Sequence, residues 1–373
     1  VSNAPATTEI YTEDASSAAS DVYKRQRVAS ANQSGHKLNI TSASSKAFYG
    51  GNPSGETLSV NDHRGIIEYD PAELVIVART GTPLAELEEE LASRGQMLGF
   101  EPPFATQGAT LGGAVASGLA GAGRPFRGGI RDFLLGTRII NGKAELAQFG
   151  GRVMKNVAGF DLFRPMAGAM GTLGVLLEMS LRVIPVPEYE INLEFASDTQ
   201  TKTLKRFTRF ARYLPTLSAC SWQHGLARVR LSGSKLAVAH DYAVLKRKYT
   251  LVESDPSHWS MVASLEDPFF KLADSQQIIV AVDLPPATAP IDFPGEQMID
   301  WGGARRYLKT SLRIEAVRQI SETVGGYATL LRGGDRSSCF HPLSPGLMGV
   351  HTRLKSAFDP RGILNPGRLY PGL

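Results

Sequence analysis

Residues 108 to 174 carry 16 of the chain's 38 glycines. An even spread would place about seven there, and glycine at that density means backbone that turns with φ > 0 or is approached closely by something else. The stretch "RVMKNVAGFDLFRPMAGAMGTLGVLLEMSLRVIP" (152–185) crowds Lys155, Asn156, Gly159, Asp161, Arg164, Gly168, Gly171 and Gly174 ahead of a strongly apolar run. A core strand has no use for that much glycine, and a flexible linker would not carry Phe160, Leu162, Met166 and Leu173. "EPPFATQGATLGGAVASGLAGAG" (101–123) is of the same kind. A helix over "TLGGAVASGLAG" has almost no side chain on any face, so another backbone or a flat ligand can lie against it.

The surrounding periodicities are easier to read. "LNITSASSK" (38–46) is a short strand entering a small-residue turn, where N–H groups can crowd around an oxyanion and Lys46 adds charge. "LVIVAR" (74–79) is a buried strand. "TGTPLAELEEELASRGQ" is a helix with Thr82 as its cap, Pro83 at its first position, Leu84, Leu87 and Leu91 on one face and Gly95 as its stop. Residues 128–142 read as loop, strand and turn, and "ELAQFG" as the paired strand. After Pro185 and Pro187 the composition shifts. "YEINLEF", "GLARVRLSG" and "KLAVAHDY" read as strands alternating with helices such as "TQTKTLKRFTRFARYL", which makes 188–335 a second α+β domain. "PPATAPIDFPGEQMIDWGGARRYLK" (285–309) is Pro/Gly-rich and expected at a surface that meets a ligand or partner. Residues 336–373 close the chain with a helix, a DPxG turn and a rigid NPGR tail.

Several chemistries are excluded. Lys plus Arg is 40 against 36 for Asp plus Glu. These charges are dispersed along the sequence without a basic block, so nucleic acid is not an expected partner. Only Cys220 and Cys339 occur, neither in a CxxC. That rules out an iron–sulfur cluster of the chain's own and fits a reducing, cytoplasmic location. No run approaches the ~18 apolar residues of a spanning helix. The start, "VSNAPATTEIYTEDASSAASDVYKRQ", is polar, has no apolar h-region and lacks an initiating Met. Residues 1–37 are therefore expected to be a poorly defined segment. His36, His63, His224, His240, His258, His341 and His351 form no HxxxH or HxH pair, so no metal site is expected. "GAGRPF" (121–126) and "GAMGTLG" (168–174) both miss the GxGxxG spacing, and there is no Walker A or GxSxG.

What remains is a non-Rossmann way of holding a large, anionic, planar cofactor. Segments 41–46, 109–121 and 168–175 can converge on a pyrophosphate and a ring system, because backbone N–H cradles need only small residues. Composition alone supports equally well a compact β-rich domain in which the glycines serve tight turns.

"EPP....GATLGGAVASGLAG", "IRDFLLGTRIING" and "KNVAGFDLFRPMAGAMGTLGV" resemble the FAD-binding domain of the vanillyl-alcohol-oxidase/p-cresol-methylhydroxylase type, nearest to the bacterial 2-hydroxy-acid dehydrogenases. With "HRGIIEYDPAELVIVARTGTPLAELEEEL", "FPGEQMIDWGGARRYLK" and "NPGRLY", the chain from residue 38 to its end is similar to the smaller FAD-domain subunits of bacterial glycolate oxidase, also called glycolate dehydrogenase. The resemblance implies an α+β fold. Two subdomains of the PCMH-type FAD-binding domain (38–187) would hold FAD non-covalently, with an α+β cap (188–335) and a C-terminal return (336–373). Thr41, Ser42, Ala43, Ser44, Ser45 and Lys46 would match the family's pyrophosphate loop. Thr110, Gly112, Gly113, Ala116 and Ser117 would line the cofactor, and Val175 would sit near the flavin end.

Ser42 stands where the family usually has glycine, so a positive φ there would be strained. The loop has no histidine for a covalent flavin, and the metal-binding histidines of larger relatives are absent. The implied function is a subunit that oxidises glycolate or a similar 2-hydroxy acid by hydride transfer to flavin. Its implied partners are a larger FAD-containing dehydrogenase subunit and an iron–sulfur subunit, with membrane contact only through them, at the inner face of the cytoplasmic membrane. A substrate carboxylate calls for an arginine, the candidates being Arg131, Arg305, Arg306 and Arg368, whereas no catalytic base is identifiable. Two alternatives stand beside this: a structural subunit with a vestigial flavin site, and a stand-alone flavin oxidase.

Overall fold

The computed structural model describes residues 9–10, 15–151 and 161–373. The chain separates into two compact units, one of residues 1–119, 129–186 and 342–373, the other of 120–128 and 187–341. The first unit contains β1 (Glu9–Ile10), β2 (Leu38–Thr41), β3 (Glu56–Ser59), β4 (Ile66–Asp70), β5 (Val75–Arg79), β6 (Gln96–Met97), β7 (Leu134–Ile140), β8 (Leu146–Gly150), β9 (Val175–Arg182) and β10 (Ile184–Pro185). Its main sheet is antiparallel in the order β1-β4-β5-β9-β7-β8, while β2 and β3 pair in parallel apart from it. "VIVAR" is buried at every position and lies between β4 and β9, as a continuous apolar run with three Val/Ile/Val branches requires.

The helix Leu84–Ser93 buries Leu84, Leu87 and Leu91, and Gly95 follows it at φ +66. The expected cap differs. Pro83 takes the cap position without a side-chain bond, and the Thr82 hydroxyl instead accepts from Gly65 N–H at 2.9 Å. The segment expected to be poorly defined is, from Ala15 to Ser34, a helix that buries Val28 and Ala31 in a cluster with Leu38, Leu58, Val175 and Ile363. Polarity misled the reading there, because only one narrow face of that helix needs to be apolar.

The second unit is an eight-stranded antiparallel sheet of β11 (Tyr189–Ala196), β12 (Leu217–Gln223), β13 (Leu226–Gly233), β14 (Val252–Glu253), β15 (Ile278–Asp283), β16 (Glu296–Asp300), β17 (Arg305–Thr310) and β18 (Tyr327–Arg332). Its order is β14-β11-β13-β12-β16-β17-β15-β18. "KLAVAHDY", expected as a strand, is the first part of the helix Lys235–Lys246, whose Ser234 cap accepts from Ala237 N–H at 3.3 Å. The Leu-Ala-Val-Ala alternation mimics a strand. Over the full segment the buried positions are Val238, Asp241 and Leu245, a helical spacing. The "DWGGARR" passage is not a surface loop. Asp300, Trp301 and Arg306 are buried where β16 turns into β17.

The C-terminal return is pinned by a charge with several partners. Lys355 Nζ donates to Asp359 Oδ2 (2.8 Å) and to the carbonyls of Thr172 (2.7 Å) and Leu364 (2.8 Å). Asp359 also accepts from the N–H groups of Ile363 (3.0 Å) and Leu364 (2.8 Å). Both side chains are buried, and that burial lowers the Lys355 pKa against the pull of Asp359. Asp359→Ala leaves an ammonium and two N–H groups buried without their carboxylate. The expected cost is about 3–5 kcal/mol, read as a lower urea midpoint with an unchanged slope.

Candidate functional site

Three chain segments and the C-terminal tail meet within the first unit around an open cleft, whose empty space with its solvent-filled mouth included is about 970 Å³. The first segment is the loop after β2. Thr41, Ser42, Ala43, Ser44, Ser45 and Lys46 all line the cleft. The strain expected at Ser42 is not there: among these residues only Ser44 has a positive φ, at 60°. The turn closes with Ala47 N–H on Ser44 O and Tyr49 N–H on Lys46 O.

The second segment is the short helix Leu111–Ser117. Thr110 caps it, its hydroxyl accepting from Gly113 N–H at 3.3 Å and donating to Ser42 Oγ at 3.0 Å, which ties the two segments together. The glycines here have different reasons. A Cβ on Gly112 would collide with the Thr80 side chain, so Gly112 lets the helix press on the end of β5, where its N–H bonds Thr80 O at 2.8 Å. A Cβ on Gly113 would meet only Thr110 Oγ1 at 3.4 Å and Lys46 Nζ at 3.8 Å. Gly113 therefore leaves open space in the cleft rather than closeness to protein. Ala116 and Ser117 also line it.

The third segment begins at Asp161; Lys155, Asn156 and Gly159 lie outside the described residues. Gly168 N–H and Met170 N–H donate to Val115 O (2.9 Å) and Ala116 O (2.8 Å), so this loop terminates the Leu111–Ser117 helix. Gly171 and Gly174 line the cleft, as does Leu176. Val175 does not. It is fully buried in the cluster with Val28, Leu38 and Ile363, because adjacent residues of a strand face opposite ways.

The tail supplies residues that the sequence reading placed only as a rigid end. Asn365 Oδ1 accepts from Ile40 N–H (2.6 Å), and its Nδ2 donates to Met170 O (2.7 Å). Arg368, one of the candidate carboxylate ligands, donates to the carbonyls of Ala47, Tyr49 and Gly51. Both line the cleft. The other candidates are placed otherwise. Arg131 is exposed in the first unit. In the second unit, Arg305 makes a two-point pair with Asp283 (2.7 and 2.8 Å), and buried Arg306 holds the carbonyls of Thr288 and Ala289.

Electrostatically the cleft has one dominant feature. Lys46 is 8% exposed, its Nζ lies 3.5 Å from Ser45 Oγ and 5.5 Å from the Phe104 ring centre, and burial pulls its pKa down to about 8. Among the described residues no carboxylate pairs with it. Of the cleft-lining residues only Lys46 and Arg368 are ionisable. One grouping elsewhere has metal-ligand chemistry: Asp21, His63 and Glu178, with ligand atoms within 4.8 Å of one another. Arg138 already bridges its two acids (2.9 and 2.5 Å), and burial with the charges of Lys24 and Arg79 holds His63 down to about 4. That cluster is a compensated ion network.

The family profile described as an FAD binding domain matches residues 24–150. The chain is 43% identical over 336 residues, 90% of its length, to glycolate oxidase subunit GlcE of Escherichia coli (strain K12), covering 93% of that protein. It is 29% identical over 124 residues to glycolate oxidase subunit GlcD of Bacillus subtilis (strain 168), which is 33% of this chain and 26% of that one. The fold is similar to a solved structure of alkyldihydroxyacetonephosphate synthase, with a TM-score of 0.63 at 17% identity over 92% of this chain and 73% of that chain.

The depressed Lys46 pKa has a definite sign. The unfolded chain holds this proton up to about 10.5 and the ligand-free folded chain only to about 8. Lys46 therefore lets stability rise with pH across that window and destabilises the ligand-free fold below it. Subtracting the pH profile of Lys46→Met from that of the unmodified chain, by urea unfolding between pH 7 and 11, should leave a rise of about 3 kcal/mol.

Proposed function

The chain belongs to the GlcE family of glycolate oxidase subunits, and from that premise we propose how its cleft holds FAD and what the subunit does with it. It is an FAD-binding oxidoreductase subunit of the class acting on 2-hydroxy acids. The observation that carries the assignment of FAD to this cleft is Lys46: a buried ammonium without a counter-ion, facing open space, is satisfied by an anion. The FAD diphosphate belongs beside Lys46, with the Ser42, Ser44, Ser45 and Thr110 hydroxyls and the Gly113 backbone around it. Thr41, Ala43, Gly112, Ala116 and Ser117 complete the wall. Val175 supports that wall from behind and does not touch the cofactor. Among the described residues that line the cleft none is a histidine or cysteine that could form a covalent link, which supports non-covalent binding.

Bound FAD supplies the acceptor for the α-hydrogen of glycolate and its two electrons. The chain's own residues bind and orient. Lys46 neutralises the diphosphate, Thr110 fixes the loop against the helix, and Asn365 and Arg368 hold the walls at their spacing. A group to take the substrate's hydroxyl proton is not among the described cleft residues, and neither of the two cysteines is in an iron–sulfur motif. Both points favour a division of labour: a larger hydroxy-acid dehydrogenase subunit shares the chemistry, and an iron–sulfur subunit receives the electrons. The relaxed φ at Ser42 weighs against a vestigial site, and the lack of a base weighs against a stand-alone oxidase.

The test is the absorbance spectrum of the purified chain near the ~450 nm flavin band, before and after added FAD and then anaerobic glycolate. A band is expected, and its absence after FAD addition would overturn the assignment. Bleaching by glycolate in the isolated chain would move the substrate chemistry into this subunit. Lys46→Met is expected to weaken FAD binding about 10- to 100-fold, the worth of one charge-assisted contact. Gly113→Ala should leave thermal stability nearly unchanged while weakening FAD, because its methyl enters the cleft.

A further inference from the structure

The helix Gln200–Tyr213 of the second unit faces its own core with Thr203, Leu204, Phe207 and Phe210. Its opposite face carries Lys202, Lys205, Arg209 and Arg212, all exposed and at a spacing that aligns them in one stripe about 15 Å long. The helix Lys235–Lys246 lies beside it, antiparallel. Thr216, just past the first helix, bonds Asp241 in the middle of the second (2.6 Å), and Tyr249, just past the second, stacks with Phe210 and under Arg206 in the first. That neighbour adds exposed Lys235, Lys246, Arg247 and Lys248. Residues 198–253 hold eleven Lys and Arg against three acids, a net +8 in a chain whose total is +4. Among the described residues only Lys202 of these eight exposed cations pairs with a carboxylate, Asp198 at 3.1 Å.

We infer that this two-helix face is a docking surface for an anionic lipid bilayer, contacted by this chain directly rather than only through companion subunits. Three observations select lipid. The face is lysine-rich, whereas protein–protein interfaces are depleted in lysine. Its cations are long side chains, seven of the eight without a carboxylate partner among the described residues, which suits mobile headgroups, and clusters of this size on an amphipathic helix are the pattern recognised by acidic phospholipids. Tyr213 at the end of the stripe (66% exposed) and Leu236 at the start of the second helix (83%) add an interfacial aromatic and an apolar side chain. No helix among the described residues is long and apolar enough to cross a membrane, and the apolar faces of both helices are used in the core, so attachment is electrostatic and screened by salt.

The experiment is co-sedimentation of the full chain with vesicles of 70% phosphatidylcholine and 30% phosphatidylglycerol, against pure phosphatidylcholine vesicles. Binding is expected to the anionic vesicles alone at 0.1 M salt and to be lost by 0.5 M. The triple variant Lys205→Glu, Arg209→Glu, Arg212→Glu should bind at least about 100-fold more weakly with an unchanged thermal midpoint. Lys143→Glu, Lys271→Glu, Arg353→Glu, an equal charge change elsewhere, should not. Equal loss in both triples, equal binding to neutral vesicles, displacement by duplex DNA or polyglutamate at matched charge, or no sedimentation would each overturn the inference. If the first triple fails to fold, the salt titration and the neutral-vesicle comparison on the unmodified chain decide it.

Discussion

The cleft depends on one amide. Asn365 stands in for a peptide group between two loops that cannot pair with each other, accepting from Ile40 on one wall and donating to Met170 on the other. A cleft wide enough for a cofactor leaves such backbone groups facing space, and unsatisfied buried groups are costly. An asparagine supplies one acceptor and one donor in fixed geometry, and it tolerates the left-handed backbone (φ 44°) that the position requires. Gly171 answers to the same contact, since a Cβ there would press on the Asn365 amide at 2.7 Å.

The same problem is solved elsewhere by buried cations on carbonyl oxygens. Arg368 gathers the loop at 47–51, Lys355 the carbonyls of Thr172 and Leu364, Arg318 those of residues 338–340, and Arg306 those of Thr288 and Ala289. Each loop is irregular, so its carbonyls lack a ladder partner, and a guanidinium offers five donors at once. Arg318 and Arg306 take no carboxylate in their hydrogen bonds, and burial lowers the pKa of both. Carbonyl dipoles replace the counter-ion. The arginines first considered as substrate ligands are thus used mainly to shape loops.

Legibility in the sequence followed the range of the interaction. Leu84, Leu87 and Leu91 announced their helix because their spacing is local. The small-residue segments announced a close approach because glycine is informative by itself. Thr82 did not announce that its hydroxyl would bond Gly65, and Lys235–Asp241 looked like a strand because the window was shorter than the helix. Val175 was misplaced by one residue, which in a strand reverses the facing. The charges read as dispersed along the chain, yet Lys202, Lys205, Arg209 and Arg212 come together through the 3.6-residue turn. Asn365 and Arg368 were out of reach, because their partners lie some 200 to 325 residues away.

Lys46 explains why a cleft of small neutral residues can still be selective. Backbone N–H groups and hydroxyls accept many ligands, and on their own they would hold a diphosphate only weakly against water. A desolvated ammonium changes the balance, since its ionised form is disfavoured until an anion arrives. With its pKa at about 8 the side chain is already mostly charged at neutral pH, so an anion offsets the desolvation of a charge that is present, and the energy lost in the ligand-free fold reappears as affinity; proton uptake on binding belongs to the range above pH 8. Arg368 could not serve in the same way, because its guanidinium is already engaged by three carbonyls and stays charged with or without a ligand. The cleft therefore divides its two cations by role, with arginine building the wall and lysine waiting for the ligand.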